Sequence, residues 1–187
     1  MQAVEKLVIC CVDVIAKRKS DNKLLLFLRR DKPAQGIWWW PGGRMFRGES
    51  FYKCAVRKLA EESGTSANKI VPVGVIPVSW NTFFRDSAWD ESRENGRQGN
   101  NKCFHFSMFI VYLLFFLIVF LIRIGCQTVN AVVVCEIEID DQPLNNKANS
   151  EWAVEDHRWI SIDEGLSGKF DRYVKLNIIA AKNASLL

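Results

Sequence analysis

The sequence predicts an α/β fold, and three observations carry that prediction. Runs of β-branched and aromatic residues recur along the chain as strand candidates. An amphipathic helix follows the third of these runs, and a second one closes the chain. With 187 residues, 49% apolar and 25% charged, the chain is expected to form one domain with a sizeable core.

Taken in order, Leu7 to Ala16 is a β-branched run with two cysteines and reads as a buried strand. Asp13 interrupts it, which argues against a secretory leader. Lys17 to Asn22 is a polar turn, and Lys23 to Arg30 completes a hairpin. Asp31 to Gly36 is a loop containing Pro and Gly. Ile37 to Trp40 is a short aromatic strand, ended by Pro41-Gly42-Gly43. Ser50 has the chemistry of an N-cap, the helix runs over Phe51 to Ser63, and Gly64 follows its end. Phe51, Cys54, Ala55 and Leu59 recur at helical spacing and predict a core-facing stripe.

Ile70 to Trp80 reads as a strand with turn residues at Pro72, Gly74 and Pro77, and Asp86 to Lys102 as a polar loop. Thr128 to Ile139 is another strand, Asp140 to Ser150 a turn, and His157 to Ile162 a short strand. Phe170, Tyr173, Val174, Ile178 and Ala181 mark the terminal helix. No internal repeat is visible.

The net charge of +4 is too diffuse to point to nucleic acid, since Lys17-Arg18-Lys19 and Arg29-Arg30 are the only tight basic groups. The six cysteines form no C-x-x-C pair and only two histidines are present, which argues against structural zinc. Most cysteines lie in apolar runs and read as buried thiols, so a reducing compartment, the cytoplasm, is expected.

The chemistry concentrates between Gly42 and Thr65. Glu61 and Glu62 stand just before the glycine that ends a helix, and the helix follows a glycine-rich turn. Positions 58, 61 and 62 share one helix face, being three and four apart. Paired carboxylates make a hard oxygen site for Mg²⁺ or Mn²⁺, which keeps waters and takes phosphate oxygens as further ligands. The glycine pair lets backbone approach such a metal or its phosphates closely. By itself the helix end could equally be a solvated acidic surface. The spacing separates the two readings. From Gly43 there are five residues to Glu49 and seven more to Arg57, followed by Lys58-Leu59-Ala60-Glu61-Glu62-Ser63-Gly64-Thr65.

This stretch resembles the Nudix box, G-x5-E-x7-R-E-U-x-E-E-x-G-U with U aliphatic, at seven of nine specified positions. The resemblance covers about residues 4–85 and 126–180. It implies an α/β/α sandwich around a mixed β-sheet. It also implies a metal held by Glu61, Glu62 and the carbonyl of Gly42, and a structural salt bridge between Glu49 and Arg57. Lys58 and Thr65 depart from the box. Lys58 replaces a metal-facing anion by a cation, so fewer or weaker metal ions are expected, unless Lys58 simply snorkels to solvent.

Upstream, Arg29 to Arg44 has a basic pair, a Pro-Ala-x-Gly turn and an aromatic strand entering Pro-Gly-Gly-Arg. That pattern resembles the GDP-mannose mannosyl hydrolase branch of the Nudix family, which cleaves the sugar C–O bond. By this resemblance Arg29 meets the diphosphate, a role suited to its guanidinium fork, and Arg44 is a second phosphate contact. The chain departs from the branch in keeping both Glu61 and Glu62. The branch's base histidine would fall near Val154, where Glu151, Glu155 and Asp156 are candidate bases or ligands and His157 a candidate acid–base group. Trp38, Trp39, Trp40 and Trp80 either stack on a nucleobase or face the core.

One segment does not fit. Cys103 to Ile122 carries no Asp, Glu, Lys or Arg, and matches the ~20 residues that span a bilayer. It reads as a retained or mistranslated segment, as a transmembrane anchor, or as a buried helix. An anchor there would split one sheet across a membrane. The overall expectation is a Mg²⁺- or Mn²⁺-dependent hydrolase of a nucleoside diphosphate linked to another moiety, such as a nucleotide sugar. Glu61, Glu62, Arg29 and Glu155 are its catalytic candidates, and Arg29, Arg44 and Trp38 its substrate contacts. The alternatives are GDP-mannose C–O hydrolysis and a catalytically weak fold that binds nucleotide or a partner. A membrane partner is expected only if the apolar segment is genuine, and a homodimer is compatible with the sequence.

Overall fold

Every element of the described chain is organised around one central strand. The computed structural model describes residues 8–30, 34–84, 126–139 and 154–187. In chain order these form β1 (Ile9–Arg18), β2 (Leu24–Arg29), β3 (Trp38–Trp39), β4 (Gly42–Arg44), α1 (Phe51–Ser63), a 3₁₀ turn (Ala67–Lys69), β5 (Ile70–Phe84), β6 (Cys126–Ile137), β7 (Val154–Ile160), α2 (Ile162–Leu166) and α3 (Arg172–Asn183). The apolar run 103–122, the loop 86–102, the turn 140–150 and Glu151 lie outside the described residues.

The seven strands make one mixed sheet in the order β3-β2-β1-β6-β5, with β4 on β1 and β7 on β2. β1 and β6 pair in parallel, from Ile9 opposite Thr128 to Arg18 opposite Ile137. β1–β2, β1–β4, β2–β7 and β5–β6 are antiparallel. β1 is covered on both faces, which is why it reads as a near-continuous apolar run and not an alternating one. Val12, Val14 and Ala16 meet Cys54, Ala55 and Leu59 of α1. Ile15 faces the opposite layer, with Tyr173, Val174, Ile178 and Ala181 of α3. The sandwich is therefore α1, sheet, then α2 and α3. Leu59 is fully buried, and its truncation to Ala would cost about 2–5 kcal/mol.

Several local expectations need correction. Phe51 is 46% exposed and leaves the core-facing stripe to Cys54, Ala55 and Leu59. It occupies the first helical position, one turn ahead of the residues that reach the sheet. Cys54 and Cys135 are buried, but Cys10 is exposed and Cys11 is half-buried, because they precede the covered stretch of β1. Lys58 does not snorkel to solvent; it is 8% exposed. Sequence reading also passed over β4 and α2. The latter carries a capping signature at Ser161, whose Oγ accepts the Glu164 N–H at 3.0 Å. Gly165 within α2 is a packing requirement, because a Cβ there would collide with Ile178 of α3.

Candidate active site

The site is built where β4 meets the end of α1. Ser50 starts α1 by accepting the Lys53 N–H at 3.3 Å. Gly64 stops it in the left-handed conformation, φ 70°, where its N–H reaches the Ala60 carbonyl at 3.0 Å. The ends of the helix are thus fixed, and so is the face that carries positions 58, 61 and 62. Opposite them, β4 pairs Gly42 with Asp13 and Gly43 with Val12. The approach is too close for a side chain, since a Cβ on Gly42 would collide with the Val12 carbonyl oxygen and crowd Asp13.

Two helix carboxylates meet this glycine pair differently. Glu62 Oε2 accepts the Gly42 N–H at 3.0 Å. Withdrawal of the Glu62 carboxyl from water pushes its pKa up to about 7. The Gly42 N–H, Lys58 and Arg29 pull it down, and the charge of Asp13 pushes it further up. Glu61 is instead held by cations. Lys58 Nζ lies 2.9 Å from its Oε2, and Arg57 Nη1 lies 3.3 Å from its Oε1. Burial opposes ionisation of Glu61, yet the combined pull of Lys58 and Arg57 leaves its pKa below the ordinary carboxylate value.

Arg57 is anchored by a fork. Its Nε and Nη2 each donate to a Glu49 oxygen at 2.8 Å, and Nη2 also reaches the Arg44 carbonyl at 3.1 Å. Glu49 in turn accepts the Phe46 N–H at 2.9 Å, and the Phe46 ring lies under the Arg57 guanidinium, 3.9 Å away. The Arg57 fork drives the Glu49 pKa down to about 2. This arrangement ties the loop between β4 and α1 to the helix that carries the carboxylates.

The remaining candidates are dispersed. Arg29, half-buried at the end of β2, exerts its charge on both Glu62 and Asp13. The Arg44 side chain is exposed on β4. Trp38 packs at the edge of the α3-side cluster, while Trp39 and Trp40 are buried in it. His157 is half-buried on β7, opposite Phe27. Glu155 lies on the same strand, and for it and Trp80 only the backbone position is described.

Sequence reading missed the role of Asp13. This carboxylate is 4% exposed, and its Oδ2 accepts from the Tyr173 hydroxyl at 2.8 Å and from the Asn130 amide. Burial raises its pKa despite those bonds and the charge of Arg29. The available signal was an acidic residue inside a buried strand, which demands partners.

A divalent ion suits this donor set, which is all oxygen: Glu62, Glu61 and the backbone of the glycine pair. Among the described residues no three His, Cys, Asp or Glu side chains converge as a metal cage. An ion held here would complete its shell with water and ligand oxygens, as Mg²⁺ does.

The family model described as NUDIX domain matches residues 7–176. The chain belongs to the Nudix family. That family is one of diphosphate hydrolases. No curated relative matches the sequence. Among solved structures, the MutT protein of Methanosarcina mazei Go1 aligns with TM-score 0.60 and 16% identity, over 98% of this chain and 99% of that one. The Ap4A hydrolase of C. elegans aligns with TM-score 0.56 and 10% identity, over 95% and 98%. The NUDIX domain of Shewanella oneidensis NrtR, solved with ADP ribose, aligns with TM-score 0.55 and 17% identity, over 96% and 90%. At these identities the likeness is one of fold, and it includes the mixed sheet around which this Nudix site is built. Among the described residues, no helix is long and apolar enough to cross a membrane.

Proposed function

We propose that this Nudix protein is a divalent-metal-dependent hydrolase of a nucleoside diphosphate linked to another moiety. The observation that carries the reading is the 3.0 Å hydrogen bond from Gly42 N–H to Glu62, which brings the helix carboxylate and the glycine pair to one point. Glu62 and the Gly42 carbonyl would hold the ion, with Glu61 beside them. When bound, the ion neutralises diphosphate charge and activates water. Arg29 places positive charge on the same point and is the diphosphate contact in this reading. Burial raises the Glu62 pKa, and a bound cation would offset that cost by favouring its ionised form.

The substrate class rests on more distant support. ADP ribose is bound by the NrtR Nudix domain, and the C. elegans enzyme is an Ap4A hydrolase. The aromatic strand entering Pro41-Gly42-Gly43 favours a nucleotide sugar, GDP-mannose among them. Trp38 is the least buried of the three consecutive tryptophans and the one available for a base or sugar face.

The test is turnover of ADP-ribose, Ap4A and GDP-mannose with Mg²⁺ or Mn²⁺, for the parent and Glu62→Gln. Hydrolysis of at least one, reduced about 10²–10³-fold by Glu62→Gln, is expected. No turnover of any diphosphate with either metal would overturn the reading. Reaction in ¹⁸O water then separates the modes, because attack at phosphorus labels phosphate and attack at carbon labels the sugar. A second reading, a catalytically weak nucleotide-binding fold, is favoured by one observation: the Lys58 ammonium already sits on Glu61.

A further inference from the structure

Lys58 is an unusual lysine. Its side chain is 10% exposed, although a solvated ammonium on a helix ordinarily reaches water. Its stem runs along Gly43: a Cβ on that glycine would lie 2.9 Å from Lys58 Cε, 3.3 Å from Cδ and 3.5 Å from Nζ. The missing side chain at Gly43 is therefore the space the lysine fills. Its ammonium lies 2.9 Å from Glu61 Oε2, and its charge also lowers the pKa of Glu62.

The charges around it pair off. Arg57 is forked to Glu49 through two 2.8 Å bonds and reaches Glu61 at 3.3 Å, while Lys58 takes Glu61 more closely, at 2.9 Å. Glu62, by contrast, accepts a neutral backbone N–H, that of Gly42, at 3.0 Å. An acidic residue at 58 would give three carboxylates on one helix face, enough negative charge for more than one divalent ion. A buried cation there supplies part of that positive charge from within the protein. Without the Lys58 cation, Glu61, whose side chain is 42% exposed, would keep only the longer Arg57 contact at 3.3 Å among its described charged partners.

We propose that Lys58 is a resident cation of the site. It neutralises Glu61, takes the place of one divalent ion and leaves a single ion to bind at Glu62 and Gly42. The inference deepens the hydrolase reading and rests on it. Lys58 is a positioning residue in this account, acting through Glu61.

The test counts Mn²⁺ bound per folded chain by electron paramagnetic resonance, with no substrate present. It compares the parent, Lys58→Glu and Lys58→Met. The methionine keeps an apolar stem against Gly43 and removes the charge, so it remains informative if the glutamate variant fails to fold. The proposal expects one Mn²⁺ on the parent, a second on Lys58→Glu, and about tenfold tighter Mn²⁺ on Lys58→Met, as Glu61 loses its closer cation. Two or more ions on the parent would overturn the resident-cation proposal and leave the hydrolase reading standing. One ion on all three proteins at equal affinity would overturn it too, making Lys58 a space-filling residue. No Mn²⁺ on any of the three would sink the metal-dependent reading itself.

Discussion

Replacing Glu49 by Gln tests the electrostatic clamp that fixes the glycine loop to α1. The substitution keeps the shape of the side chain and removes its charge. Glu49 is 9% exposed at its side chain and is forked to Arg57 by two 2.8 Å bonds. Arg57 and the Phe46 N–H draw its pKa from the ordinary 4.5 to about 2. A difference of that size corresponds to about 3 kcal/mol of folding free energy. Arg57 is 21% exposed, so solvent screening reduces the expected loss to about 2 kcal/mol.

The sign follows from the direction of the shift. The folded carboxyl ionises more readily than the unfolded one. The stabilisation is therefore full above the unfolded value of 4.5 and is lost as pH falls towards 2. Urea denaturation of parent and Glu49→Gln should show a gap of about 2 kcal/mol at pH 7. By pH 3 the gap should fall by more than half, because the unfolded carboxyl is protonated there while the folded one stays largely ionised, so folding of the parent must release a proton. A gap that stays constant between pH 7 and pH 3 would refute the reasoning, since the loss would then come from packing and not from the ion pair.

Two further outcomes follow from the same geometry. Gly42→Ala should lower stability by about 1–3 kcal/mol and lower Tm, because the new methyl meets the Val12 carbonyl, a backbone atom that cannot swing away. Tyr173→Phe should lower stability by about 1–3 kcal/mol in urea denaturation, because it removes a donor from the buried Asp13 carboxylate.

The fold was legible wherever local chemistry and tertiary burial agree. Ser50 and Gly64 bracket α1 at the residues the sequence indicated, since capping is settled within one turn. β1 and β6 read as strands because both are buried and β-branched, but their parallel pairing joins residues over a hundred positions apart and has no local signature. β4 was invisible for the opposite reason. Gly-Gly-Arg has low strand propensity, and only the pairing to β1 makes it a strand. Spacing located the acidic helix end and the glycine pair. It could not divide the labour between Glu61 and Glu62, which depends on Lys58 being buried against Gly43.

That division of labour extends through the sheet. Gly42 has a carboxylate on either side of it: Glu62 bonded to its N–H, and Asp13 opposite it on β1. Each is withdrawn from water with a raised pKa, the charge of Asp13 raises Glu62 further, and Arg29 favours ionisation of both. Their hydrogen bonding distinguishes them. One oxygen of Asp13 accepts from both Tyr173 and Asn130, two fixed donors. The Glu62 oxygen that meets Gly42 accepts a single backbone N–H there. A carboxylate has about four acceptor positions, so Glu62 keeps the larger unused capacity. In the proposed reading a cation would therefore bind on the Glu62 side of Gly42. Asp13 would keep its partners there, and in the resident-cation proposal Lys58 would keep Glu61 from competing.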